Sequence, residues 1–471
     1  MHPTLSQLAV FISDSVESIE ASCAVRGLTV PDLDSPFDPS SEDFRLDPTI
    51  AHAINVTSVA AKKLNAILQP PHVSSAHIFS GHYQASAMQA LVDTKTVEIL
   101  RDAGSQGLHV DQISTKNGID SKKQARMLRF LATKFVFREV RQNVFANNRI
   151  SSMLDTEKSV DELRRSPRER IIGFNASASH VFNERMLAAS CLLTNLLEPK
   201  TRCSDEPNSV PWHTATGVTV PYWTYIQLPG QELRLERFGN AMRGINESMV
   251  PPSTILGGFA WSDLNTDAIV VDVGSGVGAT SLVLSKAHPK LHAILQDKQP
   301  VIDNAELVWT RKFPPALQSG RVKLQGSSFN CPPVENASVF LFKNIVHDWS
   351  DTYAKRILTR LRDAATPETK LLLVESLVEY ACRTDEDDAI EIPGARPRHL
   401  LANFGNINCM QYLTDLSMLF LYNSQERTIG RFFSLLEESG WRITQVYRPE
   451  GSFLQQIETF PVPDVFRQYG C

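Results

Sequence analysis

Between Ala268 and Asp297 the chain runs from an apolar stretch through three closely spaced glycines into a helical segment, then into a second apolar stretch that ends on an acid. Few folds accommodate that order. Ala268-Ile-Val-Val-Asp-Val reads as a buried strand, because a parallel strand covered on both faces is apolar continuously rather than alternately. Gly274, Gly276 and Gly278 follow. Glycines at a strand-to-helix turn permit positive φ and let a ligand approach the backbone amides closely. The spacing is G-x-G-x-G, with Ala279 where a nicotinamide dinucleotide fingerprint has its last glycine. A cofactor without a pyrophosphate fits better. Asp272 precedes the loop, where an acid can face an ammonium group. Asp297 closes Leu291-His-Ala-Ile-Leu-Gln-Asp, the place for a carboxylate that accepts ribose hydroxyls. Together these features predict a nucleoside cofactor.

From Ala268 onward, apolar runs alternate with amphipathic helices, the pattern of a parallel sheet flanked by helices. The fold class expected is α/β. In Val339-Phe-Leu-Phe-Lys-Asn-Ile-Val-His-Asp-Trp-Ser-Asp a strand runs through Lys343 to His347 and Asp348, and a helix opens near Ser350. Ligands of open α/β sheets sit beyond the carboxyl ends of strands, where His347 falls. An ordinary histidine, with pKa near 6.5, is mostly neutral at pH 7 and accepts a proton from a hydroxyl. Read alone, it is as well a structural histidine, and Asp348 a helix cap. Glu375 ends the strand Lys370-Leu-Leu-Leu-Val-Glu-Ser, and Glu426 precedes another helix. Two carboxylates near a histidine orient it and balance its charge after proton uptake. No Gly-x-Ser-x-Gly elbow, P-loop or metal-spaced histidine cluster occurs, so hydrolase, NTPase and metal readings lack support.

The N-terminal half reads differently. Helices are expected over residues 4–28, over Asp47–Leu68 with Pro70 and Pro71 closing it, and over Ala85–Ala103. Residues 109–132 form two helical stretches broken at Asn117-Gly118, with Asp120 or Ser121 as cap, and two short strands follow. This is the pattern of a winged helix. Such a shape either reads DNA through Lys122, Lys123, Arg126, Arg129 and Lys134 or pairs subunits. Lys+Arg 47 against Asp+Glu 52 leaves a net charge of −5, without the basic excess that phosphate binding needs, so pairing is favoured over nucleic acid. The expected division is a helical extension (1–75), a winged-helix-like dimerisation domain (76–150), a helical covering region (151–250) and a catalytic domain (251–471). Seven scattered cysteines without a C-x-x-C pair suit a reducing compartment, no run approaches the roughly 20 apolar residues of a membrane span, and a cytoplasmic location is expected.

These residues, in this order, resemble the caffeate-type O-methyltransferase family of plants and fungi. The resemblance covers roughly residues 85–470 and implies a Rossmann-like methyltransferase domain behind a winged-helix-like dimerisation domain, a homodimer, and S-adenosylmethionine as cofactor. Val271-Asp-Val-Gly-Ser-Gly-Val-Gly matches the cofactor loop and Leu295-Gln-Asp the ribose-binding strand end. Phe342-Lys-Asn-Ile-Val-His-Asp-Trp-Ser-Asp carries the family's catalytic base onto His347 and its cofactor-contacting lysine onto Lys343. Glu375 and Glu426 match the carboxylates flanking the base. Met242, Asp348, Met418 and Asn423 fall where the family meets its substrate. Where the family has Gly-Asp-Met-Phe, with the Asp reading adenine, this chain has Gly326-Ser-Ser-Phe, so Ser327 and Ser328 offer neutral hydrogen bonds instead. Residues 382–409 form an insertion, and the long N-terminal extension resembles fungal members acting on polyketides and other secondary metabolites. The implied reaction is metal-free methylation of a phenol or enol of a small aromatic molecule. The alternative is a cofactor-bound pericyclase or cyclase on the same fold.

Overall fold

The computed structural model describes residues 3–166, 173–248, 251–326, 334–382, 400–449 and 452–463. The chain forms two compact units, each discontinuous in sequence. Met1–Leu187, Trp223–Ile245 and Tyr380–Cys409 make the first; Ala188–Tyr222, Asn246–Glu379 and Met410–Cys471 make the second. The stretch 151–250, expected as one covering region, is therefore divided between them.

In the first unit the helices Leu5–Arg26 and Pro48–Leu68 meet through Leu8, Val56, Val59 and Ala60, with Leu400 and Phe404 completing the cluster. Pro71 does more than stop the second helix: it opens a new one, Pro71–Phe79, since a first-turn residue needs no amide donor. The helix expected over 85–103 is two, Gly81–Asp93 and Thr96–Ala103. The break has a local cause. The Thr94 hydroxyl donates to the Leu91 carbonyl at 3.2 Å, the acceptor the Lys95 amide would need to extend the helix, and Lys95 turns the chain with φ +60°. The helix-turn-helix is Val110–Asn117 and Ser121–Ala132, with Gly118 at φ +78° and Asp120 accepting from the Lys123 amide at 3.0 Å. Strands β1 (Leu108–His109), β2 (Arg138–Arg141) and β3 (Val144–Ala146) form an antiparallel sheet of order β1-β3-β2, completing the expected winged-helix-like shape. Arg129, one of the candidate basic residues, is turned onto this hairpin by a two-pronged pair with Glu139 at 2.9 and 2.8 Å.

The second unit holds β4 (Ile269–Val273), β5 (His292–Asp297), β6 (Val322–Gly326), β7 (Val339–Lys343), β8 (Lys370–Ser376), β9 (Trp441–Tyr447) and β10 (Leu454–Pro461). Their order is β6-β5-β4-β7-β8-β10-β9, parallel from β6 to β8, with β10 antiparallel to both its neighbours. Alternate residues of the central strands serve opposite faces. Phe340, Phe342, Leu371 and Leu373 pack with Leu358, Phe432 and Trp441, while Val339, Leu341, Leu372 and Val374 pack with Ile255, Phe259, Trp261 and Leu284. Burial on both faces explains the unbroken apolar runs of these strands. The chain leaves β4 for β5 on one side and reaches β7 on the other, so β4 and β7 flank the switch point where such sheets bind ligands. The carboxyl ends of β5, β4, β7 and β8 thus bring Asp297, the glycine loop, Lys343 and Glu375 to one edge.

Candidate active site

The glycine loop is shaped by its own backbone. Gly274, Gly276 and Gly278 all have positive φ, at 72°, 58° and 76°. A Cβ on Gly278 would lie 2.2 Å from Leu295 Cδ2 and 2.7 Å from Trp309 Nε1, whereas one on Gly276 meets nothing within 4 Å. Gly278 therefore lets the loop pack onto the sheet, and Gly276 faces open space. The Asp297 carboxylate accepts from the Gly276 amide at 2.8 Å and the Lys298 amide at 2.7 Å, and burial pushes its pKa up. Asp272 is buried beneath the loop, where the Ser281 hydroxyl donates to it at 2.6 Å. Burial raises its carboxyl to about 6, against the hydrogen bond from Ser281 and the charge of Lys343. Asp272 thus ties β4 to the helix Ala279–Ala287 as well as adding charge below the loop. Burial lowers the Lys343 pKa, with Asp272 and Glu375 opposing. A glycine loop whose Gly276 faces open space, an acid at the end of β5 and nearby carboxylates fit a cationic nucleoside such as S-adenosylmethionine. Ser327 and Ser328 lie outside the described residues, as does most of the 382–409 insertion.

His347 sits in the single helical turn Val346–Asp348 after β7. Its Nδ1 donates to Glu426 Oε1 at 2.7 Å, across 79 residues of chain, and its Nε2 lies 3.6 Å from Asp348 Oδ1. Glu375, fully buried, works on the backbone: its Oε1 accepts from the Ile345 and Val346 amides at 3.0 and 2.8 Å. One ligand atom each from His347, Glu375 and Glu426 fall within 4.8 Å of one another. This corrects the expectation of an ordinary, mostly neutral histidine. Burial alone would lower the imidazole pKa, but the charges of Glu426, Asp348 and Glu375 and the Glu426 hydrogen bond prevail and lift it to about 10. Burial likewise raises Asp348 to about 7 and shifts Glu375 upward, opposed in each by the His347 charge. The group is a strong base that holds its proton at neutral pH.

The substrate candidates fall in different settings. Met418 is buried on the helix Cys409–Tyr422. Asn423 follows that helix at φ +57°, and its amide donates to the carbonyls of Ser204 and, at 3.1 Å, Glu206. It thereby anchors a loop that Thr352 and Tyr353 also hold, through Asp205 at 3.0 Å and Glu206 at 2.7 Å. Met242 belongs to the first unit, packed on Ala176 and Ala241. In the second unit Tyr222 meets Trp212 and Tyr422 edge-on at 5.1 and 5.7 Å, beside Asn423. Sequence reasoning missed Arg427 and Asp415. Arg427 has no exposed side-chain surface and binds both carbonyls that bracket His347, and Asp415 accepts from the Glu426 amide at 2.9 Å. The only signal was their place within or before the Glu-Arg-Thr run.

Comparison with known proteins settles the family. An O-methyltransferase domain model matches residues 199–393. The chain is 38% identical over 472 residues to 4-O-methyltransferase 1 of Phanerochaete chrysosporium, covering 98% of this chain and all of that one. The chain belongs to the O-methyltransferase family. The caffeate-type, S-adenosylmethionine-dependent enzyme expected from its motifs is thus borne out. Among solved structures, LepI in complex with SAM shares the methyltransferase's fold at TM-score 0.65 and 18% identity, covering 88% of this chain and 94% of that one. A structure titled a pericyclic reaction enzyme matches at the same TM-score and identity, covering 88% and 95%. At that identity the likeness shows the fold alone. Among the described residues, no helix is long and apolar enough to cross a membrane.

Proposed function

We propose that the methyltransferase acts on a phenolic or enolic hydroxyl of a small aromatic or polyketide-type secondary metabolite, with His347 as general base. The observation that carries this is the Nδ1 bond to Glu426, which leaves Nε2 as the nitrogen that first gives up its own proton to solvent and then, in the fraction of enzyme so deprotonated, takes the substrate proton. A phenol with pKa near 10 and an imidazole raised to about 10 are matched, so the proton passes between them at little free-energy difference. Glu426 and Glu375 hold the imidazolium that results, and Asp348, 3.6 Å from Nε2, is placed to meet the substrate beside the reacting oxygen. Asp297, Gly274, Gly276, Gly278, Asp272 and Lys343 would hold S-adenosylmethionine. When bound, it supplies a sulfonium methyl as the electrophile.

The test is His347→Ala, with cofactor binding followed by calorimetry and methyl transfer by label from methyl-labelled S-adenosylmethionine. A loss of roughly 10²- to 10⁴-fold in kcat with intact binding is expected; undiminished turnover refutes the base. The similarity to 4-O-methyltransferase 1 of Phanerochaete supports a 4-hydroxyl as the first acceptor position to try. The fold shared with a pericyclic reaction enzyme keeps a second reading in view, and labelled methyl in the product excludes it. The reading includes a homodimer, supported by exposed Leu5, Val10, Ile78 and Phe79 on N-terminal helices and tested by light scattering. It also includes a cytoplasmic location, supported by free cysteines at 23, 191, 203, 382 and 409 and tested by fractionation.

A further inference from the structure

Arg427 is an unusual residue for the interior: a cation with no exposed side-chain surface, immediately after the carboxylate that binds the base. Every part of it is engaged. Its Nη1 donates to the Val346 carbonyl at 2.8 Å and to Gln425 at 3.4 Å, its Nη2 to the Trp349 carbonyl at 2.7 Å, and its Nε to Asp351 Oδ1 at 2.9 Å. Val346 and Trp349 bracket His347 and Asp348, so the planar guanidinium staples both ends of the catalytic turn. Asp351, the first residue of the next helix, is held in turn by Arg431 at 2.8 Å. The backbone of Arg427 bridges to Leu377, just past β8, and its carbonyl accepts from the Val378 amide at 3.1 Å. Elements carrying His347, Glu375 and Glu426 therefore converge on this one residue.

We propose that Arg427 is the positioning residue of the site, setting the turn that carries His347 at its distance from Glu426 so that Nε2 is presented to the substrate hydroxyl. The inference rests on the reading of His347 as the base. It differs from a contribution to folding because the acceptors it joins are those that fix where the imidazole sits. Lysine cannot replace it fully, since one ammonium lacks the rigid fork that reaches two carbonyls and a carboxylate at once.

The experiment compares Arg427→Met, Arg427→Lys and wild type in melting temperature, S-adenosylmethionine affinity, kcat, KM and the pH profile of kcat, with the His347 ring nitrogens followed by NMR on 15N-histidine protein. For Arg427→Met we expect kcat to fall by roughly 10²-fold, the loss typical of a reacting group displaced by about 1 Å. KM and cofactor affinity should change little, and the Nδ1–H signal of the Glu426 bond should shift. Arg427→Lys should recover part of the loss. Retained kcat in a folded Arg427→Met enzyme overturns the proposal, as does lost kcat with an unchanged His347 signal. Should Arg427→Met fail to fold, Asp351→Asn removes the carboxylate anchor alone, and the same two readouts decide. If His347→Ala stays active, the base reading fails, while the NMR signal still decides whether Arg427 places the ring.

Discussion

Replacing Glu426 with Gln changes one thing at the base: the amide oxygen still accepts from His347 Nδ1, but the charge is gone. The imidazole stands at about 10 rather than 6.5, which at about 1.4 kcal/mol per unit is a net of about 5 kcal/mol favouring the cation. Two unit charges about 4 Å apart attract by about 4 kcal/mol at an effective dielectric near 20, the scale of what Glu426 supplies. Because Asp348 and Glu375 remain, the pKa should drop by about 1 to 3 units rather than return to 6.5. The sign follows directly. The wild-type base is protonated below about 10, so kcat/KM should climb about tenfold per pH unit from 6 towards 9. In Glu426→Gln the rise should level at lower pH, with a lower plateau because the weaker base and looser ring transfer the proton less well. The assay is label transfer from methyl-labelled cofactor between pH 6 and 10, run with two phenols of different acidity to separate the substrate's titration from the enzyme's. A wild-type profile flat from pH 6 to 9, or an inflection that Glu426→Gln does not move, refutes the electrostatic argument.

Two glycine substitutions should part company. Gly278→Ala forces a Cβ to 2.2 Å from Leu295 at φ +76°, so thermal melts should show a loss of several kcal/mol, whereas Gly276→Ala, with nothing within 4 Å, should cost about 1–2 kcal/mol for its backbone alone and show its effect in S-adenosylmethionine affinity. Equal destabilisation by the two would contradict this. Asp272→Asn should stabilise the cofactor-free protein above pH 6, by at most about 3 kcal/mol for a carboxyl raised from 3.8 to about 6, while weakening cofactor binding. The native state holds this proton more tightly than the unfolded chain, so the destabilisation appears as pH rises from about 4 through 6; melts at pH 4 and pH 8 should show the gain only at the higher value.

Local geometry was open to reading in advance wherever neighbouring residues create it. Gly118 and Asp120 mark the turn between the two helices of the winged-helix-like module, and the buried parallel strands announce themselves as unbroken apolar runs. The break at Thr94 and Lys95 went unseen because the apolar spacing runs through it, and a hydroxyl competing for one carbonyl leaves no periodic trace. The family resemblance paired His347 with Glu426, but no local pattern shows the pairing, because their bond spans 79 residues and needs β7 and the segment after Tyr422 to be brought together first. Asn423 shows the same limit. The family resemblance puts it at the substrate, and nothing local in the sequence shows that its amide also holds the loop at 204–206.

The amino-acid order determined the α/β class and the glycine loop, because φ preferences and strand burial are properties of a residue and its immediate neighbours. It also placed Asp297, Lys343, His347 and Glu375 at strand ends, which an open parallel sheet gathers on one edge. Tertiary structure alone decided the chemistry of that edge. A pKa is the sum of burial and of every charge nearby, so His347 became a strong base only when Glu375, Glu426 and Asp348 closed around it. Likewise Arg427 gained its place from carbonyls that lie some 80 residues away in the chain and within 3 Å in space.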